Sequence, residues 1–227
     1  GTDTIRNGTF FFKRNVGESG MDQLSLMCRD TDFPPMSLDI YATPGAKIKV
    51  TGTNPLIYTW RVDSPVKEQQ EHNRFIEDSR DLWDEFQRLA IKERSMRSAS
   101  ETERKALRTK SDSISSIINQ RELKLMKELP ISNVWMEKLL RLSMSLKYNS
   151  RFTNKEEILA LYDRLNEEQK ASIEGQEIRV NLFPPKTVKE GDDMADADLF
   201  DLDGKVHHLA DFKGKYMLLD FWSSGCG

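Results

Sequence analysis

The sequence predicts an α+β fold: a small antiparallel β-sandwich-like domain over residues 1–64, a helical region over 65–185, and a short carboxy-terminal segment over 186–227. Three features carry this reading. Between Thr9 and Trp60, short runs rich in Ile, Val, Phe, Tyr and Thr are separated by Gly, Pro and Asn, the pattern of antiparallel strands. At Ser64 the hydrophobic period changes from two to about 3.6. Beyond Pro185 a polar turn leads to hairpin signals and a nearly continuous apolar run.

The expected strands are "TFFFKR", "LSLMC", "SLDIYA", "KIKVTG" and "LIYTWRV". In the fourth, alternation puts Ile48 and Val50 on one face and Lys47 and Lys49 on the other. Ser64 suits a helix cap and Pro65 a first turn, so one long helix is expected with Phe75, Ile76, Leu82, Trp83, Phe86 and Leu89 on one stripe. A second helix starts at Ser100, where Glu103 completes a capping box, and runs through Leu107, Ile114, Ile118, Leu125 and Leu129 to Pro130. The next, over 131–147, carries Val134, Trp135, Leu139, Leu142 and Leu146. Thr153 with Glu156 opens another, containing Ile158, Leu161, Tyr162 and Leu165. Asn166 caps a last helix that Gly175 ends, and "IRVNLFPP" reads as an extended piece before a break.

In the final segment Asp203-Gly204 turns a hairpin and Gly214 turns the chain into "YMLLDFW", the pattern of a strand covered on both faces. Asp220 interrupts that run. A carboxylate there is either buried with a raised pKa or marks the exposed end of the strand.

Composition excludes several classes. Hydrophobic residues make up 37% and charged residues 31% of 227, which fits a folded chain with long solvated helices. The 34 basic and 37 acidic residues are intermixed and net to −3, so no basic field exists to hold phosphates, and nucleic acid is not an expected partner. No apolar run approaches the roughly 18 residues of a membrane helix, and "GTDTIRNG" lacks the pattern of a signal peptide. Cys28 and Cys226 are too few for a disulfide framework and give no metal spacing, and His72, His207 and His208 have no ligand partners at the usual spacing. Neither a metal nor an organic cofactor is expected. Cys28, Tyr58, Trp60, Trp83 and Trp135 read as core, and the acids at Glu156, Glu157, Glu167 and Glu168 as helix-start residues. No Walker loop, dinucleotide fingerprint or nucleophile elbow occurs.

One stretch is more specific. "GKVHHLADFKGKYMLLDFWSSGCG" resembles the opening of a thioredoxin-like domain of the periplasmic TlpA/ResA type, where such a run leads into a Trp-x-x-x-Cys-Gly-Pro-Cys active site. The resemblance implies that Cys226 is the attacking thiol, Asp220 the carboxylate that assists proton transfer, and Trp222 the aromatic residue beside the site. Gly225 stands where many relatives have Trp, and "MADADLF" departs from the "APDF" opening. The sequence stops before the second cysteine, so residues 186–227 are expected to be an incomplete thioredoxin-like domain, inactive in turnover as this fragment. "DTIRNGTFFFKR" and "GAKIKVTGTNPLIYTWRVDSPVKEQQE" are similar, more diffusely, to the amino-terminal part that accompanies such oxidoreductases.

The expected function is therefore the accessory region and catalytic start of a bacterial thiol-disulfide oxidoreductase of the periplasm or cell envelope, with a membrane anchor before processing left open. Its implied partners are cysteine-containing client proteins and an upstream electron donor, with homo-oligomer formation through the exposed carboxy-terminal strand. The competing expectation is a non-enzymatic binding or dimerisation module with a vestigial thioredoxin segment.

Overall fold

The computed structural model describes residues 3–18, 20–96, 100–184, 189–220 and 222. They divide into two compact units, Gly1–Phe183 and Pro184–Gly227. The class is α+β: seven helices and small antiparallel strand pairs among the described residues, with no closed barrel.

In the first unit, β1 (Asp22–Leu26) pairs antiparallel with β2 (Leu38–Ala42), placing Leu24 opposite Ile40. A second ladder joins β3 (Lys49–Thr51) to β4 (Arg61–Asp63), with Val50 opposite Val62. Leu38, Ile40, Ile57 and Val62 form their buried centre, and Leu24, Leu26, Ile48 and Val50 pack on it, so the period-two reading holds here. It fails at "TFFFKR", where the described structure has only the isolated bridge Arg6–Thr9 and Phe11 and Phe12 are exposed. Alternation makes a strand only where a neighbour supplies a ladder. "LIYTWRV" also splits, into a 3₁₀ turn at Ile57–Thr59 and then β4. Asn54 Oδ1 accepts from the Leu56 N–H at 2.8 Å and Leu56 C=O from the Thr59 N–H at 2.9 Å, so local bonds displace the ladder there. Gly52 is needed beside this turn, because a Cβ would sit 2.2 Å from the Trp60 indole.

The long helix expected after Ser64 is two helices, α1 (Lys67–Asp78) and α2 (Arg80–Ser95), broken at Ser79. Ser79 leaves helical geometry (φ −122°, ψ 22°), and its C=O accepts from Leu82 and Trp83 N–H to restart the turn. Ser64 is not the N-cap residue of α1; its Oγ accepts from the N–H of Val66, two residues on, and Val66 is the N-cap. The apolar stripe survives the break, since Leu82, Trp83, Phe86 and Leu89 meet Leu107, Ile114 and Ile118 of α3 (Glu101–Glu128). α3 opens with the Ser100–Glu103 capping box and ends before Pro130.

Next come α4 (Asn133–Tyr148), capped by Ser132, and α5 (Lys155–Tyr162). Asn154, not Thr153, precedes α5, and its amide bonds Glu157 instead of capping. α6 (Glu167–Ala171) has the Asn166–Gln169 capping box. Gly175 does not end this helix, and "IRVNL" is not extended: Ser172 breaks the chain and its Oγ accepts from the Gly175 N–H, starting α7 (Ile173–Leu182). Ile178 and Leu182, four apart, then share one face and are fully buried, which favours helix over strand. The centre of the helical layer is Trp135, whose Nε1–H donates to Met126 C=O at 3.0 Å, while the Arg164 guanidinium lies over its ring and donates to the Met126 and Leu129 carbonyls that end α3.

α1 also seals the two ladders. The Tyr41 N–H on the free edge of β2 donates to Gln69 Oε1 at 2.8 Å, Gln69 Nε2 donates to Asn73 Oδ1 at 3.0 Å, and Asn73 Nδ2 donates to Val62 C=O on β4 at 2.8 Å. Two side-chain amides thus take the place of a strand. Gln69→Leu is expected to cost about 2 kcal/mol, because it strands the buried Tyr41 N–H. Native-state hydrogen exchange at Tyr41 should accelerate more than at any other β2 amide; unchanged protection would contradict the bridging role.

In the second unit, β5 (Leu199–Phe200) pairs antiparallel with β6 (Val206–His207) across the Asp203-Gly204 turn, with Gly204 at φ +76°. A 3₁₀ turn, Leu209–Phe212, follows, and Gly214 at φ +85° turns the chain. The strand expected over 216–222 is not formed in its described residues: 216–220 and 222 join no ladder, and Tyr216, Leu218 and Trp222 are exposed. A run apolar on both faces needs neighbours on both edges and both sides, and among the described residues of this unit none stands there.

Candidate functional site

The carboxy-terminal unit is organised by carboxylates and histidines. Asp201 Oδ1 accepts from the N–H groups of Asp203 and Lys205 at 3.0 and 2.9 Å, which closes the β5–β6 turn. Its Oδ2 meets His207 Nε2 at 2.8 Å, and this contact, with the Lys205 and Asp203 amides, holds the Asp201 carboxyl below the usual carboxylate range. His208 lies between two more acids, Nδ1 at 3.6 Å from Asp196 and Nε2 at 3.7 Å from Asp198. Asp211 accepts from the His208 N–H at 2.9 Å and fixes the 3₁₀ turn. These contacts order the approach to the "YMLLDFW" run. They do not make a metal centre: among the described residues no three His, Cys, Asp or Glu side chains converge to hold an ion.

Of the three residues assigned to the site by sequence, Asp220 and Trp222 are described and Cys226 lies outside the described residues. Asp220 is exposed, and Trp222 presents an indole 75% accessible. No described contact joins them. Cys28 is half-buried and free, its Sγ 3.8 Å from Asp30 Oδ2.

Sequence reasoning missed a second concentration of titratable groups, in the first unit where β2 meets α1, α3 and α4. The Tyr41 hydroxyl donates to Glu137 Oε2 at 2.5 Å, and Gln23 Nε2 reaches both. Burial raises the Tyr41 and Glu137 pKa values, and the hydrogen bond between them raises the phenol further and opposes the rise at the carboxyl. Behind this pair, the buried Glu122 on α3 pairs directly with Arg141 and lies 3.7 Å from Lys138 Nζ. Desolvation pulls Lys138 down to about 8, opposed by Asp39 and Glu137, and pulls Arg141 down to about 10, opposed by Tyr58. His72 stands beside them with its ring 5.5 Å from that of Tyr41, both ring nitrogens enclosed without a protein partner. Burial and then the charges of Lys138 and Arg141 depress it to about 3. The polar cluster forms a seam where β2 meets α1, α3 and α4. Two surface depressions, of about 400 and 450 Å³, are lined by Met144, Ile173 and Val180 in one case and by Leu56, Arg88 and Ile91 in the other.

Among the described residues no helix is long and apolar enough to cross a membrane. No family model and no solved structure matches the chain. Over 53 residues, however, it is 42% identical to the thiol-disulfide oxidoreductase ResA of Geobacillus thermodenitrificans, a match covering 23% of this chain and 30% of that protein. The chain thus spans under a third of the curated relative it matches, and the similarity supports a thioredoxin-family relationship.

Proposed function

We propose that this chain carries the attacking thiol of a thiol-disulfide exchange centre, in an oxidoreductase of the bacterial periplasm or cell envelope. The observation that carries the reading is the 53-residue similarity to a thiol-disulfide oxidoreductase, together with the run that ends in Cys226.

The Cys226 thiolate attacks one sulfur of a client disulfide. The client S–S bond breaks, a Cys226–client mixed disulfide forms, and the other client sulfur leaves as a thiolate. A second thiol then attacks the Cys226 sulfur, releasing the remaining client sulfur as a thiol. The client has gained two electrons and two protons, and Cys226 is joined to the second thiol as a disulfide. An upstream dithiol donor returns that disulfide to two thiols. Asp220 would shuttle a proton between the thiol and water, and the exposed Trp222 would give the client chain an aromatic face to lie on.

The test is mass spectrometry of the protein after incubation with a disulfide-containing peptide. Cys28→Ser should retain the mixed disulfide, and Cys226→Ser should abolish it. An adduct that persists in Cys226→Ser, or maps to Cys28, refutes the assignment.

A further inference from the structure

The first unit treats its four ladder edges unequally. Gln69 seals the outer edge of β2 and Asn73 bonds β4. β3 is three residues long and carries Lys49, two of the devices that blunt an exposed edge. β1 has no such protection. It is five residues long, and among the described residues its backbone groups make no hydrogen bond outside the pairing with β2. From Gln23 through the end of the strand to Cys28 there is neither a charge nor a proline. The one acid at its start, Asp22, is already engaged by the Arg14 guanidinium at 3.3 Å and the Gly17 N–H at 3.3 Å.

We propose that β1 is an interface between two copies of this chain, pairing antiparallel about a two-fold axis at Ser25 to give a continuous sheet β2–β1–β1–β2. The argument for a second copy is self-complementarity, which an isologous contact requires. In this register Ser25 faces its symmetry mate. Leu24 lies opposite Leu26 of the partner subunit, on the face that already packs on Ile40 and Val62, and symmetry repeats the pair. On the other face Gln23 lies opposite Met27 of the partner subunit, and Met27 is 64% exposed in the single chain. No like charges oppose each other between Gln23 and Met27. The interface is independent of residues 216–222 and of the exchange chemistry.

The experiment uses the full 227-residue chain with Cys28→Ser and Cys226→Ser, so that any added cysteine is the sole thiol. Paired residues of antiparallel strands have Cα atoms about 4.5–5.5 Å apart, inside the usual range for a disulfide. Ser25→Cys should therefore cross-link to a dimer on oxidation, and Thr51→Cys on β3 should not. Sedimentation velocity should show a mass that rises towards the dimer with concentration. Ser25→Glu, which sets two carboxylates face to face beside the cross-strand Asp39 of each copy, should remain monomeric with an unchanged circular dichroism spectrum. A chain monomeric at every concentration overturns the proposal, as does cross-linking at Thr51 equal to that at Ser25. Capture of an extended peptide by a chain that stays monomeric also overturns it. Should Ser25→Glu fail to fold, the Ser25→Cys and Thr51→Cys comparison still decides.

Discussion

Replacing Glu122 with leucine is expected to destabilise the fold by about 3 kcal/mol, one of the two largest effects predicted for this chain. Glu122 is 1% exposed and faces two cations, Arg141 in direct contact and Lys138 at 3.7 Å. Removing the anion leaves both cations partly enclosed with nothing to answer them, which costs more than the pair itself contributes. Two features moderate the loss: 41% of the Arg141 side chain reaches solvent, and Lys138, already held to about 8, can give up its proton. Glu122→Leu combined with Lys138→Met should consequently be less damaging than the sum of the single changes. Chemical denaturation of the four proteins measures the coupling, and strict additivity would show that the lysine and the glutamate do not interact.

The second large effect is acid sensitivity through His72. This imidazole has an ordinary pKa of 6.5 when the chain is unfolded and about 3 in the fold, so between those values the unfolded chain binds one proton more. Its contribution is fully present above pH 6.5 and is lost at about 1.4 kcal/mol per pH unit below it, close to 3 kcal/mol by pH 4.5. Burial explains the sign first, because a charged imidazole loses its hydration there, and the positive charges of Lys138 and Arg141 on α4 add to it. His72→Phe should flatten the stability profile between pH 4.5 and 6.5. If the variant keeps the native slope, the acid response belongs to other groups.

How far the sequence could be read depended on how local each cause was. The Ser100–Glu103 capping box, the cap at Asn166 and the Asp203-Gly204 hairpin each depend on residues close in sequence, and all three form, while the helix start expected at Thr153 with Glu156 moves to Asn154. The break at Ser79 and the restart at Ser172 lie inside otherwise helical patterns, where one polar residue gives little warning of a new turn. The seam was hidden for a different reason. Gln69, His72 and Glu122 are polar types that by themselves suggest solvent, and only packing between distant segments buries them. A trace was nevertheless present: Gln69 and His72 fall at i and i+3 on the stripe that continues to Ile76, the buried face of α1. At the carboxy-terminal candidate site the motif supplies only candidate residues, because the strand that would set their geometry needs neighbours that "YMLLDFW" does not specify.

The amide pair on α1 also decides how this polypeptide can be dissected. A cut between residues 64 and 65 looks natural, since it separates strands from helices. It would nevertheless remove Gln69 and Asn73, leaving the Tyr41 N–H and the Val62 C=O without their partners. The strands and the first helix are therefore inherited together: an excised sheet would carry sticky margins and tend to precipitate, and the smallest piece that keeps both margins closed extends past Asn73.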